Sequence, residues 1–187
     1  VPVAIILTFD PKSTIVLNRV FKALKEHNFN SYDQKIMPHI TLTWYANIDN
    51  KVAERKLEQF CSDSPPFRIQ FSSIGYFSSE ESVLFLNPNA SFELLDIQQK
   101  VFELLEEFHA GNSPKIWVPH CTLALDIPIK KIGKAIDIIK EYIRMAIGEP
   151  FNVNAQAICS VDFKTDPLKV ISLSEFKLKK RDLNIAS

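Results

Sequence analysis

Val3-Ala4-Ile5-Ile6-Leu7-Thr8-Phe9 is a β-branched apolar run that stops at Asp10-Pro11, the pattern of a buried strand followed by a helix start. Over 13–27 the period changes: Val16, Val20 and Leu24 recur every four residues, the stripe of a helix, and Asn28 is its stop. A polar connection leads to a second strand over 36–46. Asp49 and Asn50 are positioned to cap a second helix with Ala53, Leu57 and Phe60 on one face. Pro65-Pro66 ends it, and Phe67, Ile69 and Phe71 then alternate as a strand should.

The second half repeats the order. Val83-Leu84-Phe85-Leu86 is a short apolar strand stopped at Asn87-Pro88. Ser91 caps a helix that buries Leu94, Val101, Leu105 and Phe108, closed by Gly111. A strand follows over 116–127, then a helix with Ile132, Ile136, Ile139 and Ile143 on one side, ending near Gly148 and Pro150. The last strands span 151–163 and 170–178, with a turn at Asp166-Pro167. Each half therefore reads strand, helix, strand, helix, strand: one domain over 1–187 built of two related lobes, roughly 1–78 and 79–187.

The central strand of each half carries the same six-residue pattern. Met37-Pro38-His39-Ile40-Thr41-Leu42 and Val118-Pro119-His120-Cys121-Thr122-Leu123 both read apolar, Pro, His, any residue, Thr, Leu. Side chains alternate between the faces of a strand, so His39 shares a face with Thr41 and His120 with Thr122. Ile40, Leu42, Cys121 and Leu123 fall on the opposite face, toward a core. By the same alternation Tyr45 joins the His39 face, where it could stack on a base, and Trp44 falls on the core face. Each motif thus offers one imidazole beside one hydroxyl, although threonine is also simply a good strand former. His27 and His109 stand at helix ends, where they complement the helix dipole.

Composition narrows the classes. With 46% hydrophobic residues the chain can build a proper core, and 22 basic against 22 acidic residues argue against coating long nucleic acid. A small anionic ligand remains compatible. Lys177, Lys179, Lys180 and Arg181 read as a solvated edge, and Lys115 as solvated. Three widely spaced cysteines without a CxxC pair read as reduced thiols in a cytoplasmic protein. The first apolar run is too short for a signal peptide or a membrane span. Four glycines and no Gly-rich loop after the first strand exclude that kind of nucleotide cradle.

The paired Pro-His-x-Thr-Leu segments resemble the signature of the 2H phosphoesterase superfamily, which includes 2′-5′ RNA ligases and RNA 2′,3′-cyclic phosphodiesterases. The resemblance extends over nearly the whole chain, with 71–86, including Gly75, Phe77 and Val83 to Leu86, similar to the family's middle segment. It departs at Cys121, where an aliphatic residue is usual, and at Leu125-Asp126, where the bacterial RNA branch often has a basic residue. The resemblance implies an α+β fold, bilobal, with two mostly antiparallel sheets related by a pseudo-twofold axis, helices outside and a central cleft. It implies a nucleotide or RNA-end phosphodiester as substrate, no cofactor, no membrane and no obligate protein partner.

Opening a cyclic phosphodiester requires a base for the attacking water and an acid for the departing oxygen. Two histidines supply both, since imidazole titrates near neutral pH. His39 and His120 are the expected acid–base pair, Thr41 and Thr122 the phosphate clamp, and Tyr45 and Phe77 substrate contacts; no metal is called for. Which histidine is base and which is acid stays open at this point, as does 2′-5′ ligation by the reverse reaction. The rival expectations are a non-catalytic nucleotide or RNA-end binding module of the same fold, and a metal-dependent hydrolase using the same histidines.

Overall fold

β1 (Val3–Phe9) buries six of its seven residues, as its unbroken apolar run requires. A computed structural model describes residues 2–31, 36–78, 82–108, 117–145, 149–165 and 168–179. Asp10 caps α1 (Pro11–Glu26), accepting from the Ser13 backbone N–H at 3.1 Å and the Ser13 hydroxyl at 2.6 Å. Asn28, with φ 60°, turns the chain out of the helix in a left-handed conformation that asparagine tolerates.

β2 (Asn30–Ser31), β3 (His39–Tyr45), α2 (Asn50–Ser62), β4 (Phe67–Phe77) and β5 (Val83–Pro88) follow. Then come α3 (Phe92–Leu104), β6 (Cys121–Leu125), α4 (Ile132–Tyr142), β7 (Phe151–Thr165) and β8 (Leu168–Lys177). Asp49 and Ser91 cap α2 and α3, as expected from sequence. α4 stops at Tyr142, short of the Gly148 expected, and Ile143 is buried just beyond its end. β2 was not foreseen; two polar residues carry no hydrophobic pattern.

Every strand pairing is antiparallel, in the order β2-β6-β5-β4-β7-β1-β3, with β8 also on β7. This is the α+β, antiparallel architecture that the family resemblance implied, except that the strands form one continuous sheet and not two separate ones. Its two halves are joined: Phe67 to Phe71 of β4 pair with Ala155 to Phe151 of β7, so the ladder runs on without a break. The chain also exchanges strands, because β7 pairs with β1 and β4 with β5.

Helices and sheet enclose one large core, in which Leu17, Phe21, Leu57, Phe71, Leu86, Leu94, Val101 and Ile139 are essentially inaccessible. Burying each such side chain is worth about 1.5–3 kcal/mol. α1 packs against β6 and α3 against β3, so each half supplies a helix beneath the other half's motif strand. Among the described residues no helix is long and apolar enough to cross a membrane. Expectations for His109, Gly111, Lys115, Gly148, the Asp166-Pro167 turn, Lys180 and Arg181 lie outside the described residues, as does the start of the strand expected over 116–127.

Candidate active site

The residue before a proline is held extended, and the proline fixes its own φ, so Met37 and Val118 present their carbonyls in the same way. His39 Nδ1 lies 2.8 Å from the Met37 oxygen, and His120 Nδ1 lies 2.8 Å from the Val118 oxygen. Each Nδ1–H donates to a carbonyl two residues back, which fixes the tautomer with the proton on Nδ1 and the lone pair on Nε2. The proline in each motif therefore orients an imidazole.

Both motif strands also carry a β-bulge at the same place. In β3, Ile5 pairs with Thr43 and Ile6 with Thr41, skipping Leu42; in β6, Leu84 pairs with Ala124 and Phe85 with Thr122, skipping Leu123. An extra residue shifts the alternation of everything beyond it. His39 and Thr41 remain together on the cleft face, as do His120 and Thr122. Beyond the bulge the expected order reverses. Tyr45 turns into the core, 4% exposed and edge-on to Phe108, while Trp44 comes to the His39 face, 45% exposed. Tyr45 is thus not placed to touch a substrate. Side chains satisfy backbone carbonyls at this edge strand: the Trp117 indole N–H donates to Thr41 O at 2.9 Å and Gln98 to Leu42 O at 3.4 Å.

Trp117 and Cys121, both from the second half, reach the first motif. The backbone of His39 hydrogen-bonds the Cys121 thiol, which faces the core and is pushed up to about 12 by burial. So protonated and enclosed, Cys121 is no nucleophile.

The two imidazoles sense each other and sit in unlike surroundings. His39 is buried, and its pKa falls to about 4, chiefly through desolvation; the hydrogen bond to Met37 opposes this and the charge of His120 adds to it. Beside it lies a hollow of about 180 Å³, lined by Ala4, Ile6, Ile36, Trp44, Val161 and Phe163 together with His39 and Thr41. His120 is only partly buried and packs against two rings. Phe77 stands 5.3 Å away and Phe85 5.4 Å away, both edge-to-face, and the two phenylalanines stack on each other at 4.3 Å. Phe77, expected as a substrate contact, packs against His120 and Phe85. Phe85, Trp44 and Trp117 were not singled out as contacts, since Phe85 read as strand core and Trp44 as facing away.

Gly75 makes the phenylalanine stack possible. It pairs with Phe85, and a Cβ there would meet the Phe85 ring at 2.3 Å. Gly75→Ala is expected to displace that ring, destabilise the fold by about 1–3 kcal/mol and loosen His120. Thermal melts of Gly75→Ala, Phe85→Leu and the double variant check this: the alanine should cost clearly less once the ring is gone. Equal cost in both backgrounds would contradict it.

Thr41 and Thr122 are partly exposed on the cleft face, and among the described residues neither hydroxyl has a partner within the chain. Among the described residues no three His, Cys, Asp or Glu side chains gather as a metal-binding group. Among the described residues, the two motifs contribute two imidazoles and two hydroxyls.

Duplicated His-x-Thr strands on an antiparallel α+β frame are the features of the 2H phosphoesterase superfamily. A model of the 2′-5′ RNA ligase superfamily matches residues 13–161, and the chain belongs to that superfamily. The fold is similar to that of TT0787 of Thermus thermophilus, with TM-score 0.65 and 15% identity over 97% of this chain and 100% of the other. It is similar to apo E. coli LigT, with TM-score 0.62 and 12% identity over 96% and 98%, and to LigT complexed with 3′-AMP, with TM-score 0.60 and 12% identity over 95% and 97%. No curated protein matches the sequence significantly.

Proposed function

We propose that the protein hydrolyses 2′,3′-cyclic or 2′-5′-linked nucleotide phosphodiesters, without a metal, by acid–base catalysis between His39 and His120. The observation that carries this reading is the repeated Nδ1–carbonyl hydrogen bond, which holds each Nε2 ready for proton transfer. His39, stripped of its proton by burial, is the base: it takes a proton from water as the water oxygen bonds to phosphorus. His120 gives its proton to the ribose oxygen as the phosphorus–oxygen bond breaks. The Thr41 and Thr122 hydroxyls donate to the non-bridging oxygens, whose charge grows in the transition state. In ligation the two histidines exchange roles. E. coli LigT, of similar fold, has been crystallised with 3′-AMP and with phosphate, ligands of the kind this site would take. The three cysteines are free and buried, which accords with a reducing cytoplasm.

The test is turnover of 2′,3′-cyclic nucleotides and 2′-5′ oligonucleotides by chelator-treated protein, with the products identified. Full activity in chelator is expected. Activity lost to chelator and restored by zinc would select a metal-dependent hydrolase instead, and mononucleotide binding without turnover of any diester would select a binding module.

A further inference from the structure

The two half-sites share a frame and differ in what fills it. Strand register makes the correspondence: Ala4, which pairs with Trp44 and Val161, matches Val83, which pairs with Leu125 and Phe77. Likewise Ile6, which pairs with Thr41 and Cys159, matches Phe85, which pairs with Thr122 and Gly75. Where the second half carries Phe85 and Phe77 against His120, the first carries Ile6 and Val161, and the hollow of about 180 Å³ opens beside His39. An apolar cavity of roughly 150 Å³ accepts benzene, so this one suits a single planar ring.

We infer that the substrate supplies that ring: one nucleobase enters the hollow beside His39 and lies against Trp44, while the matching place beside His120 is already taken by Phe85 and Phe77. The inference rests on the function proposed above and sharpens it. A 2′,3′-cyclic phosphate carries one nucleoside, whereas a 2′-5′ linkage carries one on each side of the phosphorus. Among the described residues the site shows ring-sized space beside His39 and not beside His120, which favours the cyclic phosphate, or an RNA end bearing it. Apart from His39 and Thr41, the described lining of the hollow is apolar side chains and the Trp44 indole, and among the described residues no group there is arranged to read a base edge, so stacking and shape do the recognising. Discrimination among bases is then small.

The experiment compares kcat/KM for the four 2′,3′-cyclic mononucleotides, methyl riboside 2′,3′-cyclic phosphate (which lacks a base) and a 2′-5′ dinucleotide, using wild type, Trp44→Phe and Trp44→Ala. The four nucleotides should agree within about ten-fold, and the baseless compound should be about 10-fold or more poorer. Trp44→Ala should shrink the preference for base over no base by a similar factor, and Trp44→Phe should largely keep it. A structural role for Trp44 would instead lower both rates together and leave the preference intact, which would overturn the inference. So would equal turnover of the baseless compound, or a dinucleotide favoured through its second base. Absence of turnover of every diester is the distinct result that defeats the catalytic proposal itself. In that case quenching of Trp44 emission by a 3′-mononucleotide, judged against Trp44→Phe, still decides whether a ring enters the hollow: quenching supports the subsite and its absence overturns it.

Discussion

His39→Ala and His120→Ala are each expected to lower kcat/KM toward a 2′,3′-cyclic nucleotide by about 10²–10⁴-fold, and the double variant by little more than the worse single. The reason is geometric. Each imidazole is oriented by a carbonyl two residues back on a proline-fixed backbone, and water replacing it is neither oriented nor poised to exchange a proton. Because both groups serve one transition state, losing the second after the first removes little that still works. Thr41→Ala and Thr122→Ala should each cost roughly 10²–10³-fold if the hydroxyls hold the non-bridging oxygens. Steady-state kinetics on folded protein, checked by thermal melts, measure all four. Near-wild-type rates in either histidine variant would remove that imidazole from the chemistry.

The second large effect concerns stability. His39 has a pKa of about 4 in the folded protein against 6.5 for an ordinary histidine. Above pH 6.5 the ring is neutral in both states and contributes no pH dependence. As pH falls from 6.5 toward 4, the unfolded chain binds a proton that the folded chain refuses, so stability is lost across that window, amounting to about 3 kcal/mol. Below about pH 4 both states are protonated and this contribution levels off. Other groups titrate in the lower part of the window, so the informative quantity is the difference between wild type and His39→Asn. Denaturant unfolding at pH 7, 5.5 and 4.5 should show the wild type losing stability more steeply than the variant. Parallel losses would place His39 in a wetter environment than its burial indicates.

Much of the site was legible in the sequence because it depends on local rules. The Pro-His-x-Thr repeat states which hydroxyl lies beside each imidazole, which follows from short-range backbone geometry; the carbonyl that orients each ring came only with the structure. The caps at Asp10, Asp49 and Ser91 are local in the same sense. Tyr45 and Trp44 exchanged faces because a bulge depends on the partner strand, here Ile5 and Ile6, which lie far away in sequence. Phe85 looked like strand core because its cleft position exists only once Gly75 lies opposite and His120 alongside. Trp117 joins the motifs through the Thr41 carbonyl, on a strand at the edge of the sheet that lies 76 residues away in sequence. The antiparallel order, with β7 returning to β1, is set by distant pairings that a strand's own residues do not encode.

The pH dependence of kcat/KM on a 2′,3′-cyclic nucleotide, measured in chelator for wild type, His39→Ala and His120→Ala, tests the paired-imidazole claim most directly. The expected wild-type profile has an acid limb near pH 4, well below an ordinary histidine; the residual activity of His39→Ala should lack that limb, and His120→Ala should keep it at a much lower rate. An acid limb that persists in His39→Ala, or a near-wild-type rate in His120→Ala, would show that the protons move through other groups.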